Sequence, residues 1–143
     1  MVDRMLVAVE DSNERMRPVA EHAAELAAGL DAEVILYHVY DPDAFETRLE
    51  RRGLDSADPA TIAEQNATVE MCATVLREAG VSFSISASTG APAEEILDYI
   101  GNHHIDHVFL GTQGRSPTGK VLLGSVSQEV MLGTDVPCTL VSH

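Results

Sequence analysis

The stretch that decides the fold runs from residue 106 to residue 127 and reads DHVFLGTQGRSPTGKVLLGSVS. Residues 106–110 end in the apolar run Val108–Leu110 and predict a buried strand. Gly111 and Gly114 come next, and glycines there allow a tight turn whose N–H groups point into one concavity. A short helix is predicted over residues 125–132, starting after Gly124. Because the free N–H groups and the dipole of a helix start attract anions, the stretch predicts phosphate binding.

Side chains of the same segment support this prediction. Ser125 and Gln128 have the spacing of a capping box, which favours a helix start at Ser125. The hydroxyls of Ser125 and Ser127 are expected to bind phosphate oxygens directly. Arg115 and Lys120 lie in the connecting loop, where they are expected to add positive charge to an otherwise acidic protein.

Strand-like and helix-like patterns alternate along the rest of the chain. Short apolar or alternating runs predict five strands, over residues 5–9, 34–39, 82–88, 106–110 and 136–141, with the third at a sheet edge. Helical spacing predicts four main helices, over residues 14–28 with Gly29 ending the first, 60–79, from Pro92 onward, and 125–132. A polar segment, 41–58, is expected to lie over a functional site and to hold a short helix over residues 44–52.

This alternation predicts the fold class. Five strands separated by helices indicate an α/β fold, a parallel sheet with helices on both faces, in one domain spanning residues 1–143. Sheets of this kind bind ligands beyond the carboxyl ends of their strands, where the winding reverses. The glycine-rich stretch follows the fourth strand and therefore lies where such a site is expected.

Charge and composition exclude several classes of protein. The 9 basic and 23 acidic residues give a formal charge of −14, which repels nucleic acid and anionic lipid. No apolar run approaches the roughly 20 residues of a membrane span, and no signal peptide is apparent, so a cytoplasmic protein is expected. Cys72 and Cys138 are expected to be reduced thiols. Lys120 is the only lysine, and an acidic, lysine-poor chain suggests a halophilic protein adapted to a high-salt cytoplasm.

Three further patterns are set aside. Gly114–Lys120 fits the start of a P-loop, but Val121 stands where a P-loop needs Ser or Thr to hold magnesium. The three histidines His103, His104 and His107 lack a further ligand at metal-site spacing, so no metal site is predicted. No residue is an evident base for activating water, and no catalytic residue is assigned.

The spacing Gly111-x2-Gly114-x9-Gly124-Ser125 resembles the nucleotide signature of the universal stress protein family. The likeness extends over essentially the whole chain, including the opening LVAVEDS (6–12), His38-Val39, Gly90-Ala91-Pro92 and Val136-Pro137-Cys138. It implies a five-stranded sheet in the order 3-2-1-4-5, the adenine nucleotide α-hydrolase-like arrangement. It also implies bound ATP or AMP, the former with Mg²⁺, and a homodimer formed through the last strand, Val136–Val141.

The resemblance also implies which residues contact the nucleotide. The backbone of Ala8 and Val9, together with Val39, would contact the adenine, and Glu10 would accept hydrogen bonds from the ribose or the base. The remaining contacts follow the fourth strand: Gly111, Thr112 and Gly114 near the ribose and α-phosphate, and Arg115, Gly124, Ser125, Val126 and Ser127 around the outer phosphates. Glu10 stands where the family usually has Asp, and Gln113 where Arg is common, so both positions are expected to change affinity.

Three functions remain open from the sequence. The favoured one is a stress-response or regulatory protein that binds ATP or AMP, with at most weak ATPase activity. The second is an enzyme, a slow ATP hydrolase or nucleotidyl-transfer domain using Ser125, Ser127 and a divalent metal. The third is a dimeric interaction module that binds no nucleotide.

Overall fold

The computed structural model describes residues 1–143. It contains five strands: β1 Arg4–Ala8, β2 Glu33–Tyr40, β3 Phe83–Thr89, β4 His107–Gly111 and β5 Cys138–Val141. It contains six helices: α1 Asn13–Leu30, α2 Pro42–Arg51, α3 Pro59–Ala63, α4 Ala67–Glu78, α5 Pro92–Asn102 and α6 Ser125–Gly133. None of these helices combines the length and the apolar character needed to cross a membrane.

All strands pair in parallel, in the order β3-β2-β1-β4-β5. The predicted fold class and strand order are therefore confirmed, and β3 lies at an edge as its serine alternation indicated. β1 is central because its side chains are buried on both faces of the sheet. Met5 and Val7 contact the cluster formed with α1 and α4, whereas Leu6 and Ala8 contact the cluster formed with α5 and α6.

The prediction of one helix over residues 60–79 is wrong, because the chain breaks there into α3 and α4. Asn66 causes the break: its side-chain oxygen accepts hydrogen bonds from the N–H groups of Thr68 and Val69 at 3.0 and 3.1 Å. This amide caps α4, and a cap of this kind requires non-helical backbone at Asn66.

The prediction that Gly29 ends the first helix is also wrong. α1 continues to Leu30, and Asp31 takes the left-handed conformation that closes it, with φ of 52°. Aspartate tolerates this conformation better than most residues, so a glycine is not required there.

The polar segment 41–58 is more ordered than a loop. It forms α2, whose Phe45 and Leu49 pack with Tyr40 and with Ile62 of α3 in a small third cluster. Asp41 caps α2 by accepting hydrogen bonds from the N–H groups of Asp43 and Ala44. The helices α2 and α3 therefore cover the carboxyl end of β2. The cavity described next lies beside this end of the strand.

Candidate functional site

A cavity of about 170 Å³ opens at the carboxyl ends of β1, β2 and β4. It lies at the switch point, where β1 has β2 on one side and β4 on the other. Its lining is mainly apolar, with a few polar groups: Ala8, Val9, Glu10, Asp11, Tyr37, His38, Val39, Pro92, Ile96, Leu110, Gly111, Val126 and Ser127. Pockets that enclose whole drug-sized ligands measure about 300–1,000 Å³, so this cavity holds one part of such a ligand.

The inner wall of the cavity is fixed by buried polar contacts of β1 and β2. The N–H of Val9 donates to the carbonyl of Tyr37 at 2.9 Å, and His38 Nδ1 lies 2.7 Å from the carbonyl of Val9. Because a carbonyl only accepts, Nδ1 of His38 carries the hydrogen. The family resemblance implies that the backbone of Ala8 and Val9 contacts the adenine, and the N–H of Val9 is engaged within the sheet.

Acidic groups stand at the same end of the cavity. One carboxylate oxygen of Asp11 accepts a hydrogen bond from the amide of Asn66 at 2.9 Å, and the other lies 3.7 Å from His38 Nε2. Asn66 thus holds Asp11 in place while it caps α4.

The Tyr37 side chain is a neutral polar group of the cavity lining. Burial raises the pKa of Tyr37, which keeps its hydroxyl neutral, and the hydroxyl oxygen lies 2.6 Å from the hydroxyl of Ser88.

The first turn of α6 supplies free hydrogen-bond donors beside the cavity. Gly124 is the N-cap, and it has no side chain to satisfy the amides that follow. The N–H groups of Ser125, Val126 and Ser127 donate to no backbone or side-chain acceptor of the protein; the first paired N–H is that of Gln128, which donates to the carbonyl of Gly124. A helix start with unpaired amides and an aligned dipole is an anion site.

The capping box predicted from Ser125 and Gln128 is wrong. Gly124 occupies the N-cap, so Ser125 is already the first helical residue and its side chain makes no capping bond. A capping box needs a hydroxyl at the N-cap. The N-cap here is Gly124, one position before Ser125.

The glycine-rich loop, which was predicted to offer its amides to phosphate, pairs part of its backbone with itself. Residues 113–122 pair with themselves around an antiparallel bridge between Arg115 and Val121. The N–H of Gln113 donates to the carbonyl of Leu122, and the N–H of Leu122 donates to the carbonyl of Gly114, both at 2.8 Å. These two amides are engaged by the loop's own carbonyls, whereas three consecutive free amides lie at the tip of α6.

Several predicted phosphate ligands are also engaged elsewhere. The Ser127 hydroxyl is buried and donates to the carbonyl of Gly111 at 2.9 Å, so it ties α6 to the end of β4. The Arg115 guanidinium donates to the carbonyl of Gly119 at 2.9 Å within the loop. The N–H of Gly114 points to the buried Thr112 hydroxyl at 3.4 Å, and that of Thr112 donates to the carbonyl of Val141.

Sequence reasoning missed other groups that lie at the site. Tyr37, Pro92, Ile96 and Leu110 line the cavity, and only their place at strand ends and at the start of α5 could have indicated this. His143 and Arg15 were missed as well: the ring of His143 lies against Gly114, and Arg15 lies 3.8 Å from Glu10. The side chain of Gln113, which the family resemblance had already marked, lies against Gly124.

A parallel sheet in the order 3-2-1-4-5, with a cavity at its switch point and a free helix tip beside it, defines a class of α/β proteins that place a ligand there. The model of the universal stress protein family matches residues 1–142. The chain belongs to the universal stress protein family.

Individual relatives agree with this assignment. The chain is 31% identical over 148 residues to a universal stress protein of Thermus aquaticus, covering 99% of each protein. It is 25% identical over 138 residues to one of Methanocaldococcus jannaschii, covering 96% of this chain and 81% of that protein.

Solved structures share the fold. A universal stress protein of Archaeoglobus fulgidus superposes with a TM-score of 0.74 at 23% identity, covering 98% of both chains. The complex of an Archaeoglobus fulgidus universal stress protein with dAMP gives 0.68 at 18% identity, again covering 98% of both. A family member from Arabidopsis thaliana with AMP bound gives 0.62 at 19% identity, covering 99% of this chain and 92% of the other.

Proposed function

We propose that this protein binds an adenine nucleotide, AMP or ATP, as a stress-response or regulatory protein. The base occupies the cavity between β1, β2 and β4, and the phosphates lie on the first turn of α6. The single observation that carries the proposal is the set of three unpaired amides, at Ser125, Val126 and Ser127, beside the cavity. Family members of the same fold with dAMP or AMP bound support it.

The two halves of the site suit the two halves of a nucleotide. A mainly apolar cavity of about 170 Å³ favours a flat base over a charged group. The helix tip favours an anion, and hydrogen bonds from amides to a charged group contribute about 1.5–3 kcal/mol each. Because no group of three His, Cys, Asp or Glu residues is placed to hold a metal, Mg²⁺ would arrive with the phosphates of ATP.

Gly124 offers a test of the phosphate half. Its backbone lies in the extended region, with φ of −72° and ψ of 158°, so a valine adopts it without strain. A Cβ there would come within 2.8 Å of Gln113 Nε2, so this exposed side chain would have to move and the valine would crowd the first turn of α6. We expect Gly124→Val to lower AMP affinity about tenfold or more, the loss of one charge-assisted hydrogen bond.

The matched control is Gly29→Val. Gly29 lies in α1, and a Cβ there meets nothing within 4 Å. Calorimetry of both variants with AMP and ATP, in high salt, measures the difference. Equal AMP affinities of Gly124→Val and the wild type would contradict the placement of the phosphates, and a wild type that binds no adenine nucleotide would refute the proposed function itself.

We also propose that two copies associate through β5, in keeping with the resemblance noted above. β5 is an edge strand, paired only with β4, so its outer backbone groups are available to a second copy. Exposed apolar side chains occur in the segment between β4 and β5, on the loop and on α6: Val121, Leu122, Leu123 and Leu132. A cytoplasmic location is proposed with the same function.

A further inference from the structure

Arg15 is a cation that lies next to Glu10, one of the residues that line the cavity. It lies in the first turn of α1, where its N–H donates to the hydroxyl of Ser12. Its carbonyl lies 3.9 Å from the point where a Cβ of Gly111 would be. Ser127, at the α6 tip, bonds to the same Gly111 through its hydroxyl. Gly111 therefore lies between the first turn of α1 and the tip of α6.

The guanidinium of Arg15 has donors to spare. Its only ion-pair partner within 4.0 Å is Glu10, with Nη1 3.8 Å from Oε2, and the two side chains are 27% and 31% exposed. Charge-assisted hydrogen bonds measure about 2.7–2.9 Å, so this pair is a loose ion pair rather than a hydrogen bond. The Arg15 side chain makes no hydrogen bond to any other residue.

The electrostatic setting gives this arginine a role. Glu10 lines the cavity, and its carboxylate would repel a phosphate at the rim. Arg115, the cation that the sequence predicted for this role, donates instead to the carbonyl of Gly119. In a chain of charge −14, Arg15 offsets the charge of Glu10 at the cavity, where Asp11 carries a second negative charge.

We propose that Arg15 is a phosphate-recognition residue that makes the site select nucleotides over nucleosides. The guanidinium moves from Glu10 to a phosphate oxygen and binds it together with the amides of the α6 tip. This inference rests on the proposed function, because it assigns the phosphate specificity of that same site. Arginine suits the role because its planar fork of donors matches a phosphate.

The experiment compares Arg15→Gln with Arg17→Gln, titrating each with AMP and with adenosine by calorimetry. Arg17 is exposed in the same helix and forms no ion pair within 4.0 Å, so it controls for net charge. We expect Arg15→Gln to lose about tenfold in AMP affinity with adenosine affinity unchanged, and Arg17→Gln to match the wild type. Arg15→Lys should recover part of the loss.

Other outcomes overturn the proposal in distinguishable ways. If the wild type binds AMP and Arg15→Gln binds it equally well, the Arg15 proposal fails and the nucleotide site stands. Equal losses for AMP and adenosine would show that Arg15 acts on the base half or on the fold. Full recovery in the Glu10→Gln, Arg15→Gln double variant would show that Arg15 only neutralises Glu10. A wild type that binds neither ligand overturns both proposals.

Discussion

Replacing Ser127 by alanine should destabilise the fold, whereas the same change at Ser125 should not. The Ser127 hydroxyl is buried and joins the start of α6 to the end of β4 through the carbonyl of Gly111 at 2.9 Å. A buried hydrogen bond of this type contributes about 1 kcal/mol net. Ser125 is exposed at the first helical position, and its hydroxyl makes no hydrogen bond to the protein.

The magnitude follows from the size of the chain. For domains of about 150 residues, a loss of 1 kcal/mol lowers the melting temperature by about 2–4 °C. We therefore expect Ser127→Ala to melt about 3 °C below the wild type and Ser125→Ala to melt with it. Thermal unfolding followed by circular dichroism, with urea unfolding as a second measure, is the assay.

AMP affinity should also distinguish the two serines, with the larger effect now at Ser125. If the Ser125 hydroxyl contacts phosphate, Ser125→Ala loses AMP affinity without losing stability. Unchanged stability of Ser127→Ala, or a melting loss confined to Ser125→Ala, would refute the assignment of Ser127 as the tie between α6 and β4.

Two further substitutions test the pH dependence of stability at His107 of β4 and the proposed dimer through β5. Burial lowers the pKa of His107, so below about pH 6.5 the unfolded chain binds a proton that the folded chain does not, and stability should fall as the pH falls through this value. His107→Gln should flatten that part of a pH series of unfolding free energies, and an unchanged slope would contradict it. If the proposed dimer forms through β5, replacing Val136, just before β5, by Asp should shift sedimentation from dimer to monomer, while Asp at the exposed Leu30 of α1 should not. A dimer that survives the change at Val136 counts against the proposed interface.

The sheet could be predicted because burial leaves a direct mark on the sequence. A central strand such as β1 is apolar at four consecutive positions, Met5–Ala8, and an edge strand such as β3 alternates with serine. The break between α3 and α4 could not be predicted, because apolar spacing continues from Ile62 to Val69 across it. It depends on the Asn66 amide, which both caps α4 and holds Asp11 from another part of the chain.

The candidate site likewise has a part that could be predicted from the sequence and a part that could not. The helix tip at Gly124 could be predicted from local sequence, because a glycine before a helix leaves the following amides free. The pairing of the loop with itself could not, since it rests on backbone bonds between Gly114 and Leu122 that no side-chain pattern marks. The proposed role of Arg15 depends on the packing of α1 beside β4, which is a tertiary contact.

Amide chemical shifts during a titration with AMP test the proposed site most directly. Saturable changes in chemical shift are expected at the three α6 amides, Ser125, Val126 and Ser127, and at Val39 in the cavity. The chemical shifts of the Arg4 and Glu33 amides, at the far end of the sheet, are expected to stay unchanged. A spectrum that does not change up to millimolar AMP, or shifts that avoid the three α6 amides, would contradict a phosphate held at this helix tip.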